Sequence, residues 1–189
     1  MSRSTLKTTA INAEIRKAQA AAATPPVAAG KKGAPKDKAV AAAAPKGAGE
    51  IRIIGGQWKR TRLPVAQRPG LRPTPDRVRE TLFNWLGQDL TGWRCLDAFA
   101  GTGALGLEAA SRGAAAVQLV ESDAALVAQL HTLQQRLSAT AVRVQRGDGI
   151  AALKQAAPAS IDLVLLDPPF DSDLFVAALQ AASTAVAAQ

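Results

Sequence analysis

The sequence contains few of the residues on which cross-links and metal sites depend. Among its 189 residues there is one cysteine, Cys95, and one histidine, His131. A single cysteine excludes an internal disulfide, so a reducing cytoplasmic compartment is expected. One cysteine and one histidine cannot complete a zinc site, so we expect no metal. Cys95 is interpreted as a buried strand residue, and His131 as a surface or packing residue of a helix.

Long apolar segments are also lacking. No run approaches the roughly 20 apolar residues needed to cross a bilayer, and the N-terminus lacks the apolar stretch of a secretory signal. The sequence therefore predicts a protein without membrane association. Its length of 189 residues suits one domain of ordinary size.

Acidic residues are scarce in the first half of the chain. Residues 1–49 carry a net charge of +7 and residues 50–94 a net charge of +5, whereas residues 95–189 carry −4. The positive charge of residues 1–94 predicts an anionic partner such as a nucleic acid. For residues 1–49 a role in solubility explains the charge equally well.

Residues 1–49 are rich in Ala, Lys, Pro and Gly and have almost no large apolar side chains. Such a segment cannot bury enough surface to offset its ordering entropy, so we predict a disordered basic tail. An organelle transit peptide is the less favoured interpretation.

Residues 50–94 are predicted to form a basic hairpin followed by a helix. A strand over residues 51–54 ends at two glycines, and residues 57–65 return. The helix begins with Asp76 as its N-cap and stops at Gly87. Its predicted buried face consists of Val78, Leu82, Trp85 and Leu86.

Residues 95–189 alternate between apolar strands and helices. Four strands, beginning at Arg94, Ala116, Val142 and Ile161, are each followed by a helix. Continuous apolar strands in this order predict a parallel sheet covered on both faces, which is a Rossmann-like doubly wound α/β fold.

A glycine turn follows the first of these strands. Gly101, Gly103 and Gly106 match G-x-G-x-x-G, a pattern that fits S-adenosylmethionine or a dinucleotide. Asp97 favours S-adenosylmethionine, because a carboxylate there can meet an ammonium group but would repel a diphosphate. Glu121, at the end of the second strand, can accept hydrogen bonds from ribose hydroxyls of either cofactor.

Asp148 follows the third strand and is placed to accept a hydrogen bond from an adenine amine. The alternative is an ordinary surface-turn aspartate. The predicted cofactor is S-adenosyl-L-methionine.

The fourth strand runs into Asp167-Pro168-Pro169-Phe170 at the edge of the sheet where ligands bind. The Asp167 carboxylate and the Pro168 carbonyl could accept both hydrogens of an exocyclic base amine. This would push the nitrogen lone pair out of conjugation and toward a methyl donor. Phe170 could stack on the base, which must first leave any stack.

The chain resembles a known family over residues 50–170. The matching stretches are IRIIGGQWKRTRLPV, GLRPTPDRVRETLFNWL, CLDAFAGTGALGLEAASRGA, the VE of residues 120–121 and the DPPF motif. Their combination resembles the bacterial 16S ribosomal RNA guanine-N2 methyltransferases, the RsmD family.

This resemblance implies a class I methyltransferase that modifies one guanine of 16S ribosomal RNA, either naked or in an assembling small subunit. Guanine rather than adenine rests on the resemblance only. Catalysis is assigned to Asp167, Pro168, Pro169 and Phe170. Cofactor binding is assigned to Asp97, Ala98, Phe99, Gly101, Gly103, Glu121, Asp148 and Thr74. RNA contacts are assigned to Arg52, Lys59, Arg60, Arg62, Arg72, Arg77 and Arg79.

One departure from the family concerns the C-terminal part. Only 19 residues follow Phe170, enough for one helix over residues 174–187. The last strands of a class I sheet are therefore expected to be missing, which would leave the fourth strand as an exposed edge. A monomer is expected unless this edge is paired.

Three alternatives remain open. A nicotinamide-dependent oxidoreductase would use the glycine turn but leaves DPPF unexplained. A DNA or RNA adenine-N6 methyltransferase would share the base-amine chemistry. An inactive truncated fragment would bind RNA without methyl transfer.

Overall fold

The computed structural model describes residues 49–65, 68, 71, 73–169 and 173–187. The predicted tail, apart from Gly49, lies outside the described residues, as do the predicted site residues Arg72 and Phe170. In the part of the chain that is described, no helix has the length and apolar character needed to cross a membrane.

The described chain begins with an antiparallel hairpin. Strand β1 (Glu50–Arg52) pairs with β2 (Arg62–Pro64), and Ile51 lies opposite Leu63. These two residues are buried, whereas their neighbours in both strands are exposed. The predicted hairpin is confirmed, with strands shorter than predicted.

Helix α1 spans Asp76–Trp85, but its buried face differs from the prediction. Its N-cap is Pro75 rather than Asp76. Trp85 is 45% exposed, whereas Phe83 and Arg79 are fully buried. Of the predicted face, Val78 is buried, and Leu82 and Leu86 pack partly buried against the core, so Trp85 is the misplaced residue. The burial of a cation is what apolar periodicity cannot indicate.

The remaining strands form one parallel sheet in the order β5-β4-β3-β6. These strands are β3 (Arg94–Asp97), β4 (Ala116–Glu121), β5 (Val142–Arg146) and β6 (Leu163–Leu165). The helices that follow them are α2 (Ala104–Ser111), α3 (Ala124–Arg136), α4 (Gly149–Gln155) and α5 (Leu174–Ala185). The predicted strand–helix alternation is confirmed.

Apolar residues cover both faces of this sheet. On one face Leu107 of α2 and Leu133 of α3 pack with Phe83 in a single cluster. On the other face Leu153 of α4 and Ala178 of α5 pack against the strands. This is the doubly wound arrangement predicted from the sequence. Strand order reverses between β3 and β6, so the carboxyl ends of these strands flank a crevice.

Strand β6 lies at one end of the described sheet. Just before it, Ile161 forms a single parallel bridge with Val186, which follows α5. The predicted edge is therefore paired at one residue where the strand approaches the sheet.

Cys95 and His131 lie where the sequence predicts. Cys95 is buried in β3, and burial raises the pKa of its thiol to about 12. His131 is exposed on α3. Neither residue lines the crevice.

Candidate active site

The turn between β3 and α2 lets backbone approach a ligand closely. Gly101 and Gly103 have φ angles of 53° and 79°, which L side chains rarely adopt. A Cβ at Gly103 would lie 2.6 Å from Leu130 Cδ2, and one at Gly106 would overlap Leu119. Two glycines therefore serve the turn, and the third lets α2 pack on β4.

An open cleft of about 280 Å³ lies at the carboxyl ends of the parallel strands. The predicted site residues that line it are Thr74, Phe99, Gly101, Glu121, Asp167, Pro168 and Pro169. The structure thus brings the glycine turn and the DPP segment together across a gap of some 65 residues in the chain.

Sequence reasoning missed two charged residues of the cleft, Arg68 and Asp123. Asp123 caps α3 by accepting hydrogen bonds from the Ala125 and Leu126 amides, and its carboxylate lies 3.6 Å from Arg68. The signal for Asp123 was its position at a strand end immediately before a helix. Within the described residues the cleft lining contains three carboxylates and one cation.

Glu121, the last residue of strand β4, is hydrogen-bonded to the glycine turn. Its Oε2 accepts a hydrogen bond from the Gly101 amide at 2.8 Å, and its Oε1 accepts one from the Asp123 amide at 2.9 Å. The Ser122 hydroxyl also donates to Oε1, at 3.3 Å. A carboxylate has about four acceptor positions, so these three bonds leave one position for a hydroxyl donor in the cleft.

Asp167 follows β6 and is half-buried at the rim of the cleft. Its Oδ2 accepts a hydrogen bond of 2.6 Å from the Thr74 hydroxyl. The two residues lie 93 positions apart in the chain. Pro168 and Pro169 extend the same wall of the cleft.

Asp97 lies beneath the glycine turn rather than in the cleft lining. It is 1% exposed, and its Oδ2 accepts a hydrogen bond from the Gly106 amide at 3.0 Å. Its Oδ1 has no hydrogen-bond partner among the described residues. Burial raises the pKa of this carboxyl to about 7, and the charges of Asp167 and Glu121 act in the same direction.

Asp148 is exposed and caps α4 by accepting a hydrogen bond from the Ala151 amide at 2.7 Å. The next residue, Gly149, approaches the Ala98 carbonyl so closely that a Cβ would overlap it. The turn that carries Asp148 therefore packs beside the end of β3. Its predicted contact with adenine stays a prediction, and the buried Ala98 is not part of the cleft lining.

Five of the predicted RNA-binding residues are exposed around the hairpin and α1: Arg52, Lys59, Arg60, Arg62 and Arg77. Two of them pair with surface carboxylates, Arg62 with Glu50 at 3.0 Å and Arg52 with Asp76 at 3.6 Å. Such exposed pairs are weak and open readily to another anion. These side chains are accessible to a phosphate backbone.

The prediction for Arg79 as an RNA contact is corrected by the structure. Its side chain is completely buried and forms ion pairs with Glu108 and Asp76, at 3.1 and 2.5 Å. It also donates to the carbonyls of Thr74 and Arg52. A phosphate cannot reach this guanidinium, which is a part of the core.

Glu108 is the centre of this buried network. Its carboxylate accepts hydrogen bonds from the Ile54 and Gly55 amides, at 2.9 and 2.8 Å, and from Arg79 and Arg112. Because Glu108 belongs to the last turn of α2, the network attaches the basic hairpin to the helix that begins at the glycine turn.

Comparisons with known proteins place this architecture in a family. The family model described as "Conserved hypothetical protein 95" matches residues 51–188. Ribosomal RNA small subunit methyltransferase D of Escherichia coli is 52% identical over 124 residues. The protein of the same name from Haemophilus influenzae is 45% identical over 133 residues, covering 69% of each chain. The chain belongs to the RsmD family.

A solved Escherichia coli structure supports the same assignment for the fold. It is 42% identical and superposes with a TM-score of 0.66 over 75% of this chain and 76% of that one. The described residues therefore have the class I methyltransferase fold of the RsmD family. The match to the curated Escherichia coli relative covers 66% of this chain and 62% of that relative, so the chain spans less than two thirds of its length.

Proposed function

We propose that this chain transfers a methyl group from S-adenosylmethionine to the exocyclic N2 amine of a guanine in 16S ribosomal RNA. The observation that carries the proposal is the position of Asp167 across the cleft from the glycine turn, in a chain of the RsmD family. The substrate would be naked 16S RNA or an assembling small subunit, in the cytoplasm.

The charges of the cleft fit S-adenosylmethionine better than a dinucleotide. Glu121, Asp123 and Asp167 line it, and the buried Asp97 carries an oxygen without a partner among the described residues. Carboxylates attract an ammonium and a sulfonium group, whereas they repel a diphosphate. This disfavours a nicotinamide-dependent oxidoreductase.

Four groups would hold the cofactor. Glu121 would accept hydrogen bonds from the ribose hydroxyls, and the backbone of the glycine turn would lie against the ligand. Asp97 would influence the ammonium group from beneath the turn, and Asp148 would accept from the adenine amine. When bound, S-adenosylmethionine supplies an electrophilic methyl group on a positively charged sulfur.

The DPP segment would orient the base amine. The Asp167 carboxylate and the Pro168 carbonyl accept its two hydrogens, which turns the nitrogen lone pair away from the ring and into the cleft. Preorganised acceptors of this kind act without reorganisation during the reaction. Phe170 would stack on the flipped base.

The exposed basic residues of the hairpin and helix α1 would bind RNA phosphates. Arg52, Lys59, Arg60, Arg62 and Arg77 would position the RNA rather than select its sequence. Arg72, which lies outside the described residues, would also contact RNA, as the family resemblance implies. Binding should therefore weaken steeply as salt concentration rises.

The direct test incubates the purified chain with tritiated S-adenosylmethionine and under-modified small subunits, followed by RNA digestion. We expect label in N2-methylguanine, and a loss of about a hundredfold or more in Asp167→Ala. Asp162→Ala is the matched control, because Asp162 precedes the same strand at its opposite end and pairs with Arg94. Label in N6-methyladenine would favour the adenine alternative. Absence of label with folded protein would contradict the proposal.

A further inference from the structure

Thr74 makes a contact that its predicted role in cofactor binding does not explain. Its hydroxyl donates to Asp167 Oδ2 at 2.6 Å, a length typical of a hydrogen bond to a charged oxygen. The Thr74 hydroxyl is thereby directed at the carboxylate of the DPP segment.

Three features hold Thr74 in this position. Pro73 and Pro75 flank it, and prolines restrict both their own backbone and that of the preceding residue. The Thr74 carbonyl accepts a hydrogen bond of 3.2 Å from Nε of Arg79, which is completely buried. The same guanidinium is fixed by Glu108 at 3.1 Å. The hydroxyl is therefore preorganised by the core, independently of any ligand.

We propose that Thr74 is a positioning residue that fixes the orientation of the Asp167 carboxylate for the base amine. The proposal rests on the proposed function, since it assigns Thr74 a role in the same transfer. With Oδ2 bound to Thr74, the carboxylate cannot rotate freely, and Oδ1 accepts the amine hydrogen. Arg79 acts indirectly, because its hydrogen bond to the Thr74 carbonyl fixes the backbone that carries the hydroxyl.

This assignment separates two effects on the kinetics. A cofactor ligand affects the binding of S-adenosylmethionine, whereas a residue that orients Asp167 affects the rate of transfer after both substrates are bound. Loss of a hydrogen bond to a charged group corresponds to about a ten- to hundredfold change.

The experiment compares Thr74→Val with Thr74→Ser on the full chain, using under-modified small subunits. Thr74→Val keeps the shape of the side chain without the hydroxyl, and we expect kcat to fall about ten- to hundredfold. The dissociation constant for S-adenosylmethionine, measured by calorimetry, should change less than about twofold. Thr74→Ser retains the hydroxyl and should restore most of the rate.

Thr132→Val is the matched control. Its hydroxyl bonds the Ala128 carbonyl within α3, at an exposed position outside the cleft. We expect the wild-type kcat and cofactor affinity for this variant. A loss equal to that of Thr74→Val would show that removing a threonine hydroxyl impairs the protein generally, and would overturn the proposal.

A second readout does not depend on activity. The 13C resonance of the Asp167 carboxyl carbon, assigned by its loss in Asp167→Asn, should shift in Thr74→Val and stay near the wild-type position in Thr74→Ser. An unchanged resonance in Thr74→Val would show that the contact does not form.

The outcomes distinguish the two proposals. A folded wild-type chain that transfers no methyl group overturns the proposed function and with it the role of Thr74. An active wild type with an unimpaired Thr74→Val overturns the positioning role only. Weaker cofactor binding at unchanged kcat would make Thr74 a cofactor ligand instead.

Discussion

The two ends of helix α2 are surrounded by different chemical groups: a backbone turn at one end and buried charged side chains at the other. At its N-terminal end, Gly101 and Gly103 form an open turn in which backbone borders the cleft. At its C-terminal end, Glu108 and Arg112 are buried with Arg79 in a network of charges. The proposed cofactor would enter and leave at the first end, where backbone and space suffice. The second end holds the hairpin permanently, which requires strong, directional side-chain bonds.

The largest effect is expected from Glu108→Gln. The substitution removes the carboxylate that is paired with buried Arg112, and it leaves buried Arg79 with Asp76 as its partner. It also weakens the bonds to the Ile54 and Gly55 amides. Breaking a buried ion pair typically destabilises a protein by about 3–5 kcal/mol. Urea denaturation should show a loss of this size in the free energy of unfolding.

The matched control for this variant is Glu50→Gln, which removes a surface carboxylate paired with Arg62. Its expected cost is below about 1 kcal/mol, because solvent screens the pair. Equal losses in the two variants would show that burial of the network contributes nothing, and the contrast between the two ends of α2 would disappear.

A smaller effect is expected from pH at the open end of α2. Burial raises the pKa of Asp97 from its ordinary value of 3.8 to about 7. Between these values the folded state binds a proton that the unfolded chain has released, so stability should fall as pH rises from about 4 to about 7. We expect a decrease of about 2–4 kcal/mol relative to Asp97→Asn, which cannot ionise.

Urea denaturation of both proteins across this pH range measures the difference. The other acidic groups are shared and cancel in the comparison. Parallel pH profiles would mean that Asp97 ionises as easily in the folded protein as in the unfolded one.

Gly103→Ala tests the conformation of the turn itself. The new Cβ meets a left-handed backbone and lies 2.6 Å from Leu130 Cδ2. We expect a loss of about 1–3 kcal/mol from strain and overpacking, measured by thermal denaturation. Gly87→Ala separates the two causes, because Gly87 has φ 91° and no atom within 4 Å of the added Cβ. It should cost about 1 kcal/mol from the backbone conformation only.

The smallest effect is expected from Ser111→Ala at the charged end. The Ser111 hydroxyl donates to the Gly55 carbonyl at 2.6 Å and accepts from the Trp58 amide at 3.0 Å. Losing these neutral bonds should cost about 1–2 kcal/mol in chemical denaturation. Ser183→Ala, which removes an exposed helix hydroxyl bonded to Gln180, should change stability by less than about 0.5 kcal/mol. A similar loss of unfolding free energy in both variants would show that the Ser111 bonds to the hairpin contribute no more than an exposed helix hydroxyl.

The sequence predicted the sheet well because its signals are local. Continuous apolar strands and a glycine turn each occupy a short window, and strands β3, β4 and β5 begin at Arg94, Ala116 and Val142, as predicted. The crevice followed from the same pattern, since parallel strands place their carboxyl ends together. Glu121 and Asp167 could therefore be assigned to one site from the sequence.

The errors concern contacts between distant segments. Arg79 was assigned to the RNA contacts through the family resemblance, whereas the structure buries its side chain completely. Its burial depends on Glu108, 29 positions later, and on a hairpin carbonyl, Arg52 O, 27 positions earlier. Trp85 was predicted to lie on the buried face of its helix, whereas the structure leaves it 45% exposed and buries Phe83. The Thr74–Asp167 bond is likewise invisible to any local pattern.

The attachment of both ends of α2 has a consequence for evolution. Each added residue would lengthen the helix by about 1.5 Å and rotate its far end by about 100°. One insertion between Gly103 and Glu108 would turn the carboxylate away from the hairpin while leaving the turn intact. Homologues should therefore keep the spacing from turn to carboxylate constant.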